Sequence, residues 1–343
     1  MPVFMRPCLL VLSCLALAAG GCAGAQSALD SAGPQASGIE KLFWLFLGVS
    51  VLVQVAVTLA LLPPIRRRGR GAAPPPLVEV EPRRERNTAW VVSTLVLLTT
   101  ATLGVLLVGD FITGNRAHAA HAEPAPLKIA IIGRQWWWDI RYVNDAEPYK
   151  TVHVANEIHL PVGQIVEFHL DSADVIHSFW VPNLHGKKDM IPGHRTTLRL
   201  HATRPGTYYG QCAEFCGLQH AKMRLTVVVE PKEQYDAWIA AQGQPAKPPE
   251  TESQKRGQQI FLGTSCVMCH EIAGTPARSQ MGPVLTHLAS RPTLGAGAMP
   301  NNRGNLAGWI LDPHTAKPGV RMPQNVLGPA DLHALLDYLE SLK

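Results

Sequence analysis

The chain has 343 residues, of which 46% are hydrophobic, and a formal net charge of +5. This length allows two or three domains. The positive charge is modest and is not gathered into a long basic tract, so the sequence does not predict a nucleic-acid partner. Its cysteines leave none over for a structural disulfide, which indicates metal and cofactor chemistry. They occur in three groups: Cys8, Cys14 and Cys22, then Cys212 and Cys216, then Cys266 and Cys269.

Residues 1–25 have the pattern of a secretory signal peptide. Arg6 precedes an apolar run, and small residues follow that run. Two cleavage sites compete, one before Gln26 and one at a lipoprotein-type box that ends at Cys22. Lipidation of Cys22 is therefore left open, whereas export of the chain is predicted in both cases.

Two apolar runs follow, Leu42 to Leu62 and Ala89 to Val108, and each is long enough to cross a bilayer as a helix. The segment between them is rich in arginine, which places it in the cytoplasm. We therefore predict a transmembrane hairpin over residues 39–111, with the rest of the chain on the outer side. Residues 112–126, which include His118 and His121, are predicted to be a connector and not a metal site.

After Leu127 the sequence changes to short alternating runs separated by Pro and Gly, a pattern typical of strands. Together these runs predict an all-β, Greek-key sandwich over residues 127–239. The predicted strands are Lys128–Ile132, Ile158–Leu160, Gln164–Leu170, Thr196–His201 and Met223–Glu230.

The loop before the last predicted strand has the pattern Cys-x3-Cys-x3-His-x2-Met, formed by Cys212, Cys216, His220 and Met223. Thiolate and thioether are soft ligands that suit copper, and they do not suit magnesium or calcium. Two thiolates this close together can each bridge two copper ions. A disulfide between the two cysteines is the alternative, but it leaves the histidine and the methionine unexplained. A second imidazole is available upstream, at His177.

His177 lies in the run His-Ser-Phe-Trp, and Tyr-Tyr-Gly-Gln precedes the cysteines. With these runs, the sequence resembles the cupredoxin-like binuclear copper domain of cytochrome oxidase subunit II. The resemblance implies that His177 and Met223 bind one copper. It implies that His220 and the backbone carbonyl of Glu214 bind the other copper.

The same resemblance implies three further roles. Trp136, in Gly-Arg-Gln-Trp-Trp-Trp-Asp, is expected over the copper site, where electrons enter. Glu214 and Asp189 are expected to help hold a magnesium ion at the border with subunit I. Relatives that receive electrons from a separate basic cytochrome carry several acidic residues after the tryptophans, whereas this chain has Arg141 and Asn144 there. A strongly acidic docking patch is therefore not expected.

A flexible, proline-containing linker is predicted at residues 240–252, and Cys-x2-Cys-His follows it at Cys266, Cys269 and His270. This is the attachment motif of a c-type haem, in which both thiols bind the vinyl groups and the histidine becomes an iron ligand. A zinc or redox Cys-x2-Cys site is the alternative.

Two amphipathic helices flank this motif, at Ser253–Leu262 and Asp331–Leu342, and Gly257 would allow them to approach closely. Residues 253–343 resemble an all-α cytochrome c domain.

The sixth iron ligand is predicted to be Met322. It lies in the run Lys-Pro-Gly-Val-Arg-Met-Pro, which resembles the cytochrome segment that delivers the axial methionine. Met281 and Met299 are the rivals, and each is better explained by packing or surface exposure. A His/Met iron has a raised potential, which suits electron transfer onward to copper.

As a whole the sequence resembles subunit II of a haem–copper oxidase with a fused cytochrome c. The resemblance implies that electrons pass from the haem to the copper pair, and then to subunit I, where oxygen is reduced to water. The implied partners are subunit I, subunit III and an upstream donor, either a cytochrome or a quinol–cytochrome c reductase. The implied location is the bacterial inner membrane, with both metal domains on the periplasmic side.

Two alternatives remain at this point. One is the electron-accepting subunit of a copper-containing nitric-oxide reductase. The other is a membrane-anchored copper chaperone or thiol oxidoreductase, which explains neither Met223 nor the haem motif. Because one chain carries both cofactors, haem-to-copper transfer is expected to be independent of protein concentration and only weakly dependent on salt.

Overall fold

The computed structural model describes residues 24–68, 82–119 and 127–343. Nearly all of the predicted signal peptide, including Cys8, Cys14 and Cys22, lies outside these described residues. The chain divides into two compact units, one formed by Ser37–Ala122 and the other by the remaining residues.

The first unit consists of two long helices, α1 at Pro34–Arg68 and α2 at Pro82–Ala119. Their most apolar stretches have mean hydropathies of 2.5 and 2.3, and 0% and 6% of those residues are buried. Both helices have the length and composition of membrane spans. Their exposed apolar side chains would need apolar surroundings such as a bilayer. Helix α2 continues to Ala119, beyond the predicted boundary, because the connector is rich in the strong helix former Ala. His121 lies outside the described residues.

The second unit begins with a β domain. Its strands match the predicted ones to within a residue or two and add several short ones. They are β1 Leu127–Arg134, β2 Trp137–Val143, β3 Val152–Ala155, β4 Glu157–Pro161, β5 Ile165–Ser172, β6 His177–Phe179, β7 Lys188–Met190, β8 Thr196–His201, β9 Gly206–Gln211 and β10 Arg224–Glu230.

Two sheets form the sandwich, one with the order β3-β2-β1-β5-β8 and the other with the order β4-β10-β9. Strands β6 and β7 pair with each other apart from these sheets. Alternate residues point inward, as in β5, where every second residue is buried. Ile131, Phe168, Leu160 and Val227 fill the space between the sheets. Two of the pairings are parallel, β1 with β5 and β4 with β10, and the other pairings within these two sheets are antiparallel.

Helix α3, Lys232–Gln242, closes the β domain, and Trp238 packs edge-on against Tyr142 with ring centroids 5.4 Å apart. It runs three residues into the predicted linker. Further along that linker, the Ala246 amide donates to the Ala273 carbonyl at 3.0 Å. This segment is therefore attached to the following domain, whereas the sequence predicted a flexible tether.

The third region is helical, as predicted. Its elements are α4 Glu252–Gly263, β11 Thr293–Leu294, β12 Met299–Pro300, α5 Arg303–Leu311, α6 Pro313–Ala316 and α7 Pro329–Leu339. Thr251 begins α4 with a capping box, in which its side chain accepts from the Gln254 amide. Helices α4 and α7 cross at Gly257, where an added Cβ would lie 2.0 Å from the Ala334 carbonyl oxygen. A glycine is therefore required at this crossing.

Candidate copper and haem sites

The copper loop connects β9 to β10, which pair in antiparallel fashion with Gln211 opposite Arg224. One backbone hydrogen bond, from the Cys212 amide to the Met223 carbonyl at 2.9 Å, closes the base of the loop. Gly217 has a φ of +110°, a region of conformation space that favours glycine. Because two paired strands hold both ends of the loop, its last residue, Met223, lies beside its first, Cys212.

This closure brings the predicted copper ligands together. Cys212 Sγ lies 3.8 Å from His177 Nδ1 and 3.2 Å from the Glu214 carbonyl oxygen. Cys216 Sγ lies 3.7 Å from His220 Nδ1 and 3.9 Å from Met223 Sδ. His177 and Met223 have no exposed surface, and both cysteines are 2% exposed. Cys212 and Cys216 are free thiols, as are Cys266 and Cys269, so the disulfide alternative is not found.

The electrostatics of the loop suit a cation. Hydrogen bonding between the two thiols lowers the pKa of Cys212 and raises that of Cys216, so the pair carries a thiolate at neutral pH. Both imidazoles present Nδ1 to a sulfur atom. A mostly buried set of two thiols, two imidazoles and a thioether fits copper by its chemistry.

Asp174 orients His177, and sequence reasoning missed this role. One carboxylate oxygen lies 2.8 Å from His177 Nε2, which leaves Nδ1 facing Cys212. Asp174 is itself held by the backbone amides of Gln135 at 2.7 Å and Val175 at 2.8 Å. A carboxylate that fixes the far nitrogen of a ligand histidine is a common support in metal sites. The signal available was its position three residues before His177.

Gly133 is the second missed residue. An added Cβ there would lie 2.7 Å from His177 Cδ2, so β1 passes directly against the imidazole. The glycine that precedes the tryptophan run is the signal that could have indicated this close approach.

Trp136 lies on the loop that joins β1 to β2 and is 7% exposed. Its Nε1–H donates to the Cys216 carbonyl at 3.0 Å, and the Gln135 side-chain amide donates to the same oxygen at 2.8 Å. The indole is therefore bonded to the backbone of a predicted copper ligand.

The two residues predicted to hold magnesium approach each other. The Lys187 ammonium lies 3.2 Å from an Asp189 carboxylate oxygen and 3.8 Å from a Glu214 carboxylate oxygen. Ser178 also donates to Asp189, at 2.8 Å. Both carboxylates are half exposed, and they converge on one cation.

The haem motif forms one tight turn, in which the amides of Cys269 and His270 both donate to the Cys266 carbonyl. The His270 ring donates from Nδ1 to the Pro283 carbonyl at 2.7 Å, which leaves Nε2 for iron. Burial lowers the pKa of His270, so the ring is neutral and suited to metal binding. An added Cβ at Gly282 would lie 2.8 Å from the ring. The turn at Gly282 and Pro283 therefore fits a ligand histidine, and the two free thiols fit covalent attachment.

The three candidate methionines differ in their surroundings. Met299 packs against the core of the helical domain. Met281 is 73% exposed. Met322 is partly buried and lies between α6 and α7, on a segment without regular structure. Met322 stays the predicted ligand, because the packing of Met299 already accounts for that residue.

Comparison with known proteins agrees with this geometry. Residues 127–230 match the family model described as cytochrome c oxidase subunit II, periplasmic domain, and residues 254–343 match cytochrome c. Cytochrome c oxidase subunit 2 of Alkalihalophilus pseudofirmus is 35% identical over 97% of this chain and 96% of its own length. The chain belongs to the cytochrome c oxidase subunit II family. The corresponding protein of Bacillus sp. strain PS3 is 30% identical over 77% of this chain and 76% of its own length.

Among solved structures, the periplasmic domain of subunit II of the Bradyrhizobium japonicum oxidase is 29% identical. It covers 35% of this chain and 94% of its own length, with a TM-score of 0.32. The multidomain architecture predicted from sequence is confirmed: two apolar helices, a cupredoxin-like β domain and a helical cytochrome c domain. Family membership also excludes the copper chaperone alternative.

Proposed function

We propose that this chain is the electron-transfer subunit of a terminal respiratory oxidase. It passes electrons from a covalent haem c to a binuclear copper centre, and from there to the catalytic subunit that reduces oxygen to water. The observation that carries this proposal is the convergence of Cys212, Cys216, His177, His220 and Met223 in the same compact unit as a Cys-x2-Cys-His motif. When bound, the two cofactors supply one-electron chemistry.

The chain's own residues hold these cofactors and limit their rearrangement. Cys212 and Cys216 would hold both coppers. His177 and Met223 would hold one of them, and His220 with the Glu214 carbonyl would hold the other. The β9–β10 pairing holds the loop at both ends. A ligand set fixed in this way changes little between oxidation states, which favours rapid electron transfer.

On the haem side, Cys266 and Cys269 would attach the haem covalently, and His270 and Met322 would bind its iron. The Pro283 carbonyl fixes the His270 ring and strengthens it as a donor.

The assembly proposed for the chain follows from its family. Helices α1 and α2 anchor it in the bacterial inner membrane. Both cofactor domains, residues 127–239 and 253–343, lie on the periplasmic side. It assembles with subunit I and with subunit III. Glu214 and Asp189 contribute to a magnesium site at the border with subunit I, and their convergence on Lys187 supports this role. Electrons arrive from a cytochrome or a quinol–cytochrome c reductase.

The copper-to-protein ratio and the electron paramagnetic resonance spectrum test this proposal. We expect two coppers and one haem per chain, with a single unpaired electron shared by both coppers. Cys216→Ser should abolish that shared signal, because a single thiolate no longer bridges the pair. Cys269→Ser is the matched control on the other site and should leave the copper signal intact. One copper per chain with a simple four-line spectrum contradicts the binuclear assignment.

A further inference from the structure

Lys317 is a buried cation at the junction between the β domain and the cytochrome domain. Its side chain is 2% exposed, and it immediately follows α6. The ammonium donates three hydrogen bonds, each 2.9 Å long, to the carbonyl oxygens of Trp136, Lys222 and Gly295. The first two carbonyls belong to the β domain and the third to the cytochrome domain. One side chain thus joins three separate segments of backbone.

The partners of Lys317 lie beside the copper loop. The Trp136 indole donates to the carbonyl of Cys216, and Lys222 immediately precedes Met223. Lys317 therefore contacts the backbone on two sides of the copper ligands without contacting a ligand itself.

Three further hydrogen bonds between the two domains lie near Lys317. The side-chain amide of Gln219 donates to the Pro318 carbonyl at 2.7 Å, and the Lys222 ammonium donates to the Ala316 carbonyl at 2.6 Å. The Arg224 amide donates to the Ala296 carbonyl at 3.1 Å. We call this set the docking face. It comprises Gly295, Ala296, Ala316, Lys317 and Pro318 on the cytochrome side, and Trp136, Gln219, Lys222 and Arg224 on the copper side.

An ammonium has three N–H donors, and here each has one carbonyl acceptor. Burial lowers the pKa of Lys317 to about 7, yet the three acceptors match the protonated form. Carbonyl acceptors at fixed backbone positions define a direction as well as a contact, because hydrogen bonds weaken steeply away from linearity. A cation held in this way specifies one orientation of the two domains.

The docking face is continuous in sequence with the predicted sixth ligand of the haem. Pro318 is bonded to Gln219, which precedes His220, and Met322 follows Pro318 by four residues. We propose that Lys317 is a positioning residue that fixes the haem's distal-ligand segment on the copper loop, so that transfer between the two sites proceeds without a domain search. This inference rests on the proposed electron-transfer function and adds to it a fixed geometry.

Flash reduction of the haem in the intact oxidase tests the inference. In Lys317→Met the side chain keeps its approximate length and loses all three donors. Haem-to-copper transfer should slow about tenfold or more, since small misplacement of reacting centres is costly, and it should become sensitive to viscosity. The copper resonance spectrum and the haem potential should remain as in the parent. Lys255→Met is the matched control, because Lys255 is exposed on α4 and pairs with Glu252 of the same helix. It should leave the rate unchanged.

Hydrogen–deuterium exchange provides a readout that is independent of electron transfer. Residues 293–298 and 316–320 should exchange faster in Lys317→Met than in the parent or in Lys255→Met. Ala296→Trp is a second variant, which places a bulky side chain in the docking face and removes no buried donor. Its rate and exchange should change in the same direction. Unchanged transfer and unchanged exchange in either folded variant overturn the inference. Loss of the two-copper signal in the parent instead overturns the proposed function and leaves the exchange comparison valid.

Discussion

The proposed copper and haem sites assemble their ligands in different ways. Four of the five copper side chains come from one loop between paired strands, and the fifth, His177, comes from the short strand β6 beside it. The haem ligands come from a tight turn at residues 266–270 and from Met322, which follows more than one intervening helix. Four of the five copper side chains are almost fully buried and His220 is partly exposed, whereas Cys266, Cys269 and Met322 are all partly exposed.

This difference reflects what supports each site. The copper loop is held by backbone pairing, and His177 is held by a carboxylate, Asp174, that is itself bonded to two amides. The haem turn is held by the Pro283 carbonyl and by the crossing of α4 and α7 at Gly257. We therefore expect the copper site to tolerate changes in the helical domain. We expect the haem site to depend on a distant segment and on one helix crossing.

The distal haem ligand gives the largest expected effect. Met322→Ala should keep the haem attached, because Cys266 and Cys269 remain, and should open the sixth position. Axial ligands set haem potentials over roughly 0.8 V, and we expect the potential to fall by about 0.1 to 0.3 V. Carbon monoxide binding to the reduced variant, absent in the parent, is the measurement.

Met281→Ala and Met299→Ala are the controls for this prediction. Neither should open the sixth position, although Met299→Ala should destabilise the domain, since that side chain packs against its core. If carbon monoxide binds the Met299 variant and not the Met322 variant, the ligand assignment is wrong.

The helix crossing gives the next effect. In Gly257→Ala the new Cβ would lie 2.0 Å from the Ala334 carbonyl oxygen and 2.7 Å from Tyr338 Cβ, so the helices must separate. Overpacking against backbone should reduce the free energy of unfolding of the cytochrome domain by about 3 kcal/mol. This outweighs the gain of about 1 kcal/mol that Ala offers over Gly in a helix. Thermal unfolding followed at the haem measures the change.

Gly263→Ala on the same helix is the matched control, because no atom lies within 4 Å of its added Cβ. It should leave stability unchanged or raise it slightly. The copper resonance spectrum should be unchanged in both variants, and a loss of copper in Gly257→Ala would contradict the separate support of the two sites.

The carboxylate behind His177 gives a smaller effect. Asp174→Ala should lower copper affinity by about 10- to 100-fold, the usual range for a support behind a ligand histidine. Asp174→Asn should fall between this variant and the parent, since its amide oxygen can still accept from His177 Nε2. Copper titration against a competing chelator is the measurement. Asp171→Ala is the control, because Asp171 pairs with Arg195 at the surface. Equal affinities for the Asp171 and Asp174 variants would refute the role of Asp174.

The sequence indicated the residues that the structure brings together around Cys212 and Cys216, because most of them lie within one loop and their residue types are rare. The main strands were predicted as well, since alternation and Pro or Gly boundaries are local signals. Asp174 and Gly133 were missed as functional residues, because their roles depend on contacts with His177 that the fold creates. Asp174 bonds to the imidazole, and β1 passes against it at Gly133.

In the sequence, Lys317 is notable only as the first residue of the run that contains Met322. Its role was not predicted, because its three acceptors come from segments far apart in the chain. The contacts made by the predicted linker could not be foreseen for the same reason. The bond from Ala246 to Ala273 and the docking face depend on tertiary contacts, which composition does not encode.

The smallest expected effect concerns the rate of electron transfer between the two sites. Haem-to-copper transfer should be independent of protein concentration, because both domains are on one chain. It should also depend only weakly on salt. Most bonds across the docking face end on backbone carbonyl oxygens, as for Lys317 and Gln219, and neutral acceptors are not screened as ion pairs are.

Charged pairs contribute little between the two domains. Arg321 lies 3.8 Å from Asp174, and the His153 ring lies 3.8 Å from Glu271, so both pairs are at the limit of ion-pair distance. Flash reduction across a dilution series and a salt series measures both dependences. We expect less than about a twofold change in rate between low and physiological salt, whereas encounters steered by charge slow steeply over that range. A rate that falls in proportion to dilution would mean that the copper site receives electrons from another molecule's haem. That result would make the docking face irrelevant to transfer.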